Sequence, residues 1–309
     1  MSYDLIIIGG GPAAVASGVY AARKQLKTLV VAKDFGGQSI VSPLIHNWIG
    51  TLEISGDQLA KNLQAHLEEY KGEYLDISEG KGIETVTKDG AATFTVTDED
   101  GNTYESKAVL VASGANRRKL DVPGAEEFDQ KGLTYCATCD GPLFSGMDVV
   151  VIGGGNGGFE SAAQLLAYAK SVTLLDRGDA FRADAITVEK VLENKNMTAI
   201  HNAVTTSVQG DTMVTGLTYK DTTTDSEHTL DVTGVFVEIG MVPNTNMVEG
   251  LVETDDYKHI KVDPRTQRTS VKGVWAAGDC TDGLYSQNNI AVGDAIKALE
   301  DIYGYIHTY

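Results

Sequence analysis

The chain has 309 residues, about twice the roughly 150 residues of a typical domain, and 42% of them are hydrophobic. Two domains of that size bury their own cores without disulfide support. The formal net charge of −18 argues against nucleic acids and anionic membranes as partners, because like charges repel. No apolar run approaches 18 residues, so the sequence predicts no helix that spans a membrane.

Two of the three cysteines, Cys136 and Cys139, are spaced C-x-x-C. In a chain that shows no leader peptide, such a pair indicates catalytic or metal-binding thiols, and we expect a cytoplasmic protein. Zinc would need two further ligands, and the six histidines are scattered singly, so we expect no metal site. The third cysteine, Cys280, is expected to be a small buried residue.

The N-terminal segment has the pattern of a β-turn-α-β unit, with strands at 5–8 and 28–31 and a helix at 12–24. In its turn, Gly9 lets the chain bend, Gly11 lets the backbone approach a pyrophosphate, and Ala14 lets the helix pack closely on the strand. The free N–H groups and the dipole at the helix N-terminus favour an anion there. The turn is therefore typical of a dinucleotide site.

One expected feature of that site is displaced. An acidic residue usually ends the second strand and binds a ribose, but Ala32 and Lys33 occupy that position and Asp34 follows them. The other reading of the turn is a glycine-rich bend that binds no ligand.

The middle of the chain repeats this plan. A strand at 148–152, a second glycine turn at 153–158, a helix at 159–169 and a strand at 172–175 follow one another. Segments 77–108 and 212–233 are predicted as antiparallel meanders, and segments 109–114 and 234–239 as buried strands. The strand at 273–279 and the helix at 289–303 are assigned back to the first unit. The predicted fold is α/β, with two Rossmann-like dinucleotide-binding domains, the second inserted in the first, each with a small antiparallel β-meander.

The C-x-x-C pair lies close to the second glycine turn, since Cys139 precedes Gly153 by 14 residues. At a helix start, the dipole and the free N–H groups stabilise a thiolate. Two thiols three residues apart also close into a disulfide with little rearrangement. A dithiol beside two dinucleotide turns predicts that a nicotinamide reduces a flavin, which in turn reduces the disulfide.

Taken together, the motifs resemble the low-molecular-weight thioredoxin reductase family over about 290 residues. The ordered signatures are the first GxGxxA, Gly36-Gly37-Gln38, Asn47-Trp48-x-Gly50, Ser113-Gly114, Cys136-Ala137-Thr138-Cys139-Asp140-Gly141, the second GxGxxG and Gly278-Asp279. Four segments are more similar to the flavoprotein reductase of alkyl hydroperoxide reductase: 139–144, 174–176, 243–246 and 278–280.

The resemblance implies an FAD-binding domain at 1–115 and 244–309 and an NAD(P)-binding domain at 116–243 that carries the redox disulfide. The residues implied at FAD are Gly9, Gly11, Pro12, Ala13, Ala14, Gly37, Gln38, Asn47, Gly114, Gly278, Asp279 and Gln287. The residues implied at the nicotinamide dinucleotide are Gly153, Gly155, Asn156, Gly158, Asp176, Arg177 and Arg182. Two positions depart from the family, with Ser113 in place of the commoner Thr and Ser286 where Arg or Lys usually precedes Gln287.

The resemblance also implies roles at the dithiol. Cys139 receives electrons from the flavin, Cys136 attacks the disulfide of the partner, and Asp140 exchanges the proton of the departing thiolate. The implied partner is thioredoxin or a thioredoxin-like carrier, and the implied assembly is a homodimer.

The identity of the nicotinamide depends on the end of the second strand in the inserted domain. Family members that use NADPH have a His-Arg-Arg-x-x-x-Arg run there, whereas this chain has Asp176, Arg177 and Arg182. A carboxylate at this place accepts hydrogen bonds from ribose hydroxyls and repels a 2′-phosphate, so we predict NADH as the preferred donor. The two arginines leave NADPH open as an alternative.

Three other functions remain open at this point. The chain could serve a peroxiredoxin through a separate carrier, as a peroxide-defence reductase without its N-terminal domain. It could take electrons from ferredoxin or another donor, although the intact GxGxxG favours nicotinamide. It could also be a flavin-bound sensor without turnover, although the complete C-x-x-C-D favours catalysis.

Overall fold

The computed structural model describes residues 2–41, 45, 47–90, 93–135 and 137–308, with the backbone alone for Val41, Thr138 and Cys139. The chain forms two compact units, one from 1–116 and 242–309 and the other from 117–241. The predicted α/β class, with one dinucleotide-binding unit inserted in another, is confirmed. Among the helices of the described residues, none combines the length and the apolarity that crossing a membrane requires.

The first unit is built on a seven-stranded sheet in the order β3-β2-β1-β6-β5-β4, with β17 also paired to β6. Strands β1, β2, β3, β6 and β17 pair in parallel, and β4, β5 and β6 pair as an antiparallel meander. The elements of this unit, including the start of β7 and the end of β16, are β1 (Ser2–Ile8), α1 (Pro12–Arg23), β2 (Thr28–Ala32), the 3-10 helix η1 (Gly37–Val41), α2 (Gly56–Glu68), β3 (Leu75–Glu79), β4 (Ile83–Asp89), β5 (Thr93–Asp98), β6 (Thr103–Val111), β7 (Ala115–Arg117), β16 (Met241–Pro243), the 3-10 helix η3 (Asn246–Val248), β17 (Val274–Ala276) and α6 (Asn288–Thr308).

The second unit has a five-stranded parallel sheet, β11-β10-β9-β15-β8, and a three-stranded antiparallel sheet, β12-β13-β14. Its elements are β8 (Leu133–Thr134), α3 (Ala137–Asp140), the 3-10 helix η2 (Gly141–Phe144), β9 (Asp148–Ile152), α4 (Asn156–Leu165), β10 (Ser171–Leu175), α5 (Ala185–Leu192), β11 (Met197–Ile200), β12 (Ala203–Gly210), β13 (Val214–Asp221), β14 (Glu227–Leu230) and β15 (Gly234–Val237). The connecting strands β7 and β16 pair with each other.

Both parallel sheets are covered on both faces, which is why their strands are continuous apolar runs. On β1, Leu5 and Ile7 pack with α1 and α6, whereas Ile6 and Ile8 pack with the meander. The second unit repeats this arrangement on β9, where Val149 and Val151 pack with α4 and Val150 and Ile152 pack with β12 and β13.

Two details of the predicted meander in the first unit are wrong. Its first strand, β3, pairs in parallel with β2 and so belongs to the core sheet. The predicted boundary between Ala108 and Val109 does not interrupt the chain, because β6 is one strand. Its first part, at 103–106, pairs antiparallel with β5, and residues 105–111 pair in parallel with β1, so one strand belongs to both the meander and the parallel core.

The last glycine of the second turn fixes the distance between α4 and β9. A Cβ atom on residue 158 would lie 1.8 Å from the carbonyl oxygen of Gly153, which is rigid backbone. We therefore expect Gly158→Ala to lower the free energy of unfolding by at least about 2 kcal/mol, as overpacking does, in urea titrations followed by circular dichroism.

Gly157→Ala is the matched control for that experiment. A Cβ atom on residue 157 would meet the Glu238 carboxylate at 3.5 Å, an ordinary contact. Replacing a helical glycine by alanine should then stabilise the protein by up to about 1 kcal/mol. Equal unfolding free energies for the two variants would contradict the packing argument.

Candidate functional site

A cavity of about 360 Å³ lies in the first unit, at the carboxyl ends of β1, β6 and β17. Ligands of open α/β sheets bind at this edge. Nine of the predicted FAD residues line the cavity: Gly11, Pro12, Ala13, Gly37, Gln38, Gly114, Gly278, Asp279 and Gln287.

The first turn of α1 opens into this cavity. Gly11 caps the helix without a side-chain hydrogen bond, Pro12 follows, and the first turn has no acidic residue. A Cβ atom on residue 11 would meet no atom closer than 3.9 Å, the Cα of Gly37, so it would project into the free space between the two glycines. Free N–H groups, a positive dipole end and room for close approach fit the diphosphate of a dinucleotide such as FAD.

Three predicted residues lie next to the cavity without lining it. Gly9 underlies the turn, since a Cβ atom there would come within 2.2 Å of the Ala112 carbonyl oxygen. Ala14 is fully buried in the packing of α1. Asn47 donates a hydrogen bond from Nδ2 to Oε1 of Gln287 at 2.9 Å and so positions a residue that does line the cavity.

Sequence analysis missed the polar network along one rim of the cavity. The Ser113 hydroxyl donates to the carbonyl oxygen of Asn244 at 2.5 Å, and Asn244 donates back to the Ser113 carbonyl at 3.0 Å. Asn116 donates to the side chain of Asn244 at 2.8 Å. The Ser113 departure from the family therefore keeps a hydroxyl hydrogen bond. The partners are more than 120 residues apart in sequence, and no local pattern indicates them.

Two acidic residues, Asp34 and Asp279, line the same cavity. Burial raises the pKa of the Asp279 carboxyl, against the opposing effect of a hydrogen bond from Ser286. Asp34, displaced in the sequence, lines the cavity just beyond β2.

The glycines of the second turn differ in what lies next to them. Gly153 has φ +125°, and a Cβ atom there would lie 2.2 Å from the Glu238 carbonyl oxygen. A Cβ atom on Gly154 would lie 2.4 Å from the carboxyl carbon of Asp176, whereas one on Gly155 would meet nothing within 4 Å. The turn therefore packs tightly at both ends and is open at Gly155, where a pyrophosphate would approach.

The predicted nicotinamide residues cluster around this turn. Asn156 begins α4 and accepts a hydrogen bond on Oδ1 from the backbone of Asp184 at 2.8 Å. Asp176 directly follows β10 and is only 2% exposed. The side chains of Arg177 and Arg182 are exposed, and the Arg182 backbone N–H donates to the Gly154 carbonyl at 2.9 Å.

The part of the dithiol motif from Ala137 to Asp140 forms the short helix α3, which packs against α4. Cys136 and the side chain of Cys139 lie outside the described part of the chain. Asp140 ends α3, and its Oδ2 accepts a hydrogen bond from the Thr134 hydroxyl. On either side of Cys136, Tyr135 and Ala137 are buried. Cys280 is fully buried in the first unit, as predicted, and burial raises the pKa of its thiol to about 11.

A further carboxylate, which sequence analysis missed, lies beside the second turn. Glu238 follows β15, accepts a hydrogen bond from Ser161 at 2.8 Å, and lies 3.8 Å from Nη1 of Arg117. Burial raises the pKa of Glu238, whereas Ser161 and Arg117 act in the opposite direction. An acid that follows β15 belongs to no sequence motif, so the sequence alone does not indicate it.

Known proteins match this chain along almost its whole length. The model of the pyridine nucleotide-disulphide oxidoreductase family matches residues 3–295. The NADH dehydrogenase of Bacillus subtilis is 40% identical over 304 residues, which are 98% of this chain and 58% of that protein. The alkyl hydroperoxide reductase F component of Escherichia coli is 39% identical over 306 residues, 99% of this chain and 58% of that protein.

The chain thus spans somewhat more than half the length of these two relatives. Among solved structures, thioredoxin reductase from Lactococcus lactis superposes with a TM-score of 0.83 at 30% identity, covering 99% of this chain and 100% of that one. The resemblance drawn from the motifs is confirmed: the chain belongs to the pyridine nucleotide-disulphide oxidoreductase family.

Proposed function

We propose that the protein is an FAD-dependent oxidoreductase that takes electrons from NADH and reduces a thioredoxin-type protein disulfide through Cys136 and Cys139. One observation carries the proposal: each unit aims a glycine turn and a helix N-terminus at the carboxyl edge of a parallel sheet, and the dithiol helix packs on the second of these helices. Membership of the family supports it.

In this proposal the cavity of the first unit holds FAD. Gly11 and Pro12 would lie at the diphosphate, and Gly37, Gly114, Gly278 and Asp279 would line the remainder. When bound, FAD supplies the chemistry that exchanges two electrons between a nicotinamide and a dithiol.

The dithiol would act by thiol–disulfide exchange. The Cys136 thiolate attacks one sulfur of the partner disulfide, which breaks that S–S bond and forms a mixed disulfide. The Cys139 thiolate then attacks the sulfur of Cys136, which closes the Cys136–Cys139 disulfide and releases the partner as a dithiol after two protons are added. Asp140 would deliver a proton to a departing thiolate, and its hydrogen bond from Thr134 would hold the carboxyl at the end of α3.

The preference for NADH rests on Asp176. Its carboxylate is buried at the end of β10 and packs against Gly154 in the second turn, where the ribose of a dinucleotide is expected. The Bacillus subtilis relative is named NADH dehydrogenase, which agrees with this choice.

The protein partner is proposed from the relatives. Thioredoxin itself is favoured by the thioredoxin reductase structure, which this chain matches from end to end. A separate thioredoxin-like carrier that serves a peroxiredoxin is the second candidate, because the chain is 39% identical to part of the alkyl hydroperoxide reductase F component. Parallel assays with the two carriers distinguish them. A homodimer in the cytoplasm is part of the same proposal.

The first test concerns the dithiol. Cys136→Ser and Cys139→Ser should each lower reduction of a thioredoxin disulfide at least a thousandfold, because exchange needs both thiols. Reduction of ferricyanide by NADH should stay within about twofold of the unmodified protein, because artificial acceptors need no dithiol. Steady-state assays of the yellow, FAD-loaded variants measure both activities.

Cys280→Ala is the control for this pair, since Cys280 is the remaining cysteine and is fully buried in the first unit. It should retain both activities. If a folded, FAD-loaded Cys136→Ser variant loses both activities as well, the dithiol does not act after the flavin.

The second test concerns the donor. NADH should exceed NADPH in kcat/KM by roughly ten- to a hundredfold, which corresponds to about 1–3 kcal/mol of like-charge repulsion. Asp176→Asn keeps the shape beneath Gly154 and removes the charge, so the preference should fall at least fivefold. Asp179→Asn, an exposed acid on the same segment, should leave the preference unchanged. Equal use of the two donors by the unmodified protein would refute the assignment, and inertness toward both would favour another donor.

A further inference from the structure

Two buried polar atoms at the edge of the second unit's parallel sheet have no hydrogen-bond partner within the described residues. They are Oδ2 of Asp176 and Nδ1 of His201. Asp176 follows the last residue of β10, His201 follows the last residue of β11, and those last residues, Leu175 and Ile200, are paired in register. Buried polar atoms without partners are costly and rare, so a pair of them at a ligand-binding edge indicates a ligand.

The backbone holds the two residues side by side. The Asp176 N–H donates to the Ile200 carbonyl, and the Asp176 carbonyl accepts from the Ala203 N–H, both at 2.9 Å. These two bonds bracket the bend that contains His201 and Asn202. His201 is therefore fixed beside the residue that the donor preference depends on.

Aromatic packing fixes the His201 ring. The ring of Phe181 lies 3.7 Å from it, centroid to centroid, at an interplanar angle of 32°. Phe181 is itself held edge-on by Phe159 at 4.9 Å and by the backbone bond from Arg182 to Gly154. The Phe181 ring thus covers one face of the His201 imidazole and restricts the position of Nδ1.

Two glycines pack closely against the neighbouring carboxylate of Asp176. A Cβ atom on Gly178 would lie 3.2 Å from Oδ2 of Asp176, and one on Gly154 would lie 2.8 Å from the same atom. Glycine at both positions keeps side chains away from this oxygen. The Asp176 Oδ2 atom thus lies close to two glycines and has no hydrogen-bond partner among the described residues.

We infer that His201 is a second ribose-binding residue, which together with Asp176 binds the hydroxyl pair of the adenosine ribose of the nicotinamide dinucleotide. The inference rests on the proposed function of the second glycine turn. The chemistry is complementary, because a carboxylate only accepts hydrogen bonds, whereas a neutral imidazole nitrogen donates or accepts according to its tautomer. Two adjacent hydroxyls satisfy both groups.

The test compares ADP with 2′,3′-dideoxy-ADP by calorimetry on the FAD-loaded protein. The two probes differ only in the hydroxyl pair. The unmodified protein should bind ADP at least tenfold more tightly. His201→Phe, which keeps a ring against Phe181 but has no nitrogen, should reduce that preference roughly five- to tenfold, as the loss of one hydrogen bond predicts.

Two further variants separate binding from structure. His201→Asn places an amide near the position of Nδ1 and should restore more than half of the lost preference on a logarithmic scale. His228→Phe is the matched control, because His228 also stacks on an aromatic ring of the same unit, Tyr219, at 5.2 Å. It should leave the preference unchanged, and thermal melts confirm that each variant is folded.

The outcomes distinguish this inference from the proposed function. If NADH and ADP bind and the unmodified protein prefers ADP, but folded His201→Phe and His228→Phe keep the same preference, the role of His201 is refuted and the proposed function stands. If the unmodified, FAD-loaded protein binds neither NADH nor ADP, the nicotinamide site is absent and both fail. If His201→Phe does not fold, His201→Leu takes its place: a reduced preference in the folded variant supports the inference, and an unchanged preference refutes it.

Discussion

Two backbone contacts determine where both glycine turns lie. In the first unit, the carbonyl oxygen of Ala112 occupies the place where a side chain on Gly9 would begin, and in the second unit Glu238 has the same relation to Gly153. A Cβ atom would be 2.2 Å from the oxygen in each case. Any side chain would therefore push the turn away from the neighbouring parallel strand. This approach holds the first turns of α1 and α4 at the carboxyl edges of their sheets, and the anion-binding geometry of both sites depends on it.

The two glycine turns have the same backbone arrangement, but different groups pack against their second glycines, Gly10 and Gly154. At Gly10 the space for a side chain is filled by the backbone carbonyl of Asp34, at 1.9 Å from a would-be Cβ, and at Gly154 it is filled by the carboxyl group of Asp176. The first unit thus turns its displaced acid outward to the cavity rim, whereas the second unit buries its acid at the strand end. In the proposed function, the first unit holds a retained flavin. The buried acid of the second unit would contact the ribose of a nicotinamide dinucleotide that exchanges in each cycle.

The sequence was sufficient for whatever depends on local pattern. Apolar runs and glycine spacing predicted β1, α1, β9 and α4, and the repeat of that pattern predicted the inserted unit. The contacts of Asn244 with Ser113 and Asn116 could not be predicted, because they join segments about 130 residues apart without a motif. His201 was equally hidden, since a lone histidine after a strand gains meaning only when Asp176 and Phe181 are seen beside it. The pairing of β3 and the continuity of β6 were predicted wrongly. A strand can be predicted from its local sequence, but its partners are known only from the folded chain.

One acidic residue, Glu238, lies close to the helix N-terminus at which the second unit is proposed to bind a pyrophosphate. The Glu238 carboxylate lies near the first turn of α4, and burial raises its pKa above the ordinary value. Arg117, at 3.8 Å, offsets part of that effect. A pyrophosphate at the same helix end would add negative charge close to this carboxylate, and the repulsion would weaken its binding. For a bound flavin such weakening would be a defect. If the second unit binds the nicotinamide dinucleotide, as proposed, that ligand must leave in every catalytic cycle, and a buried acid beside the turn would speed its release.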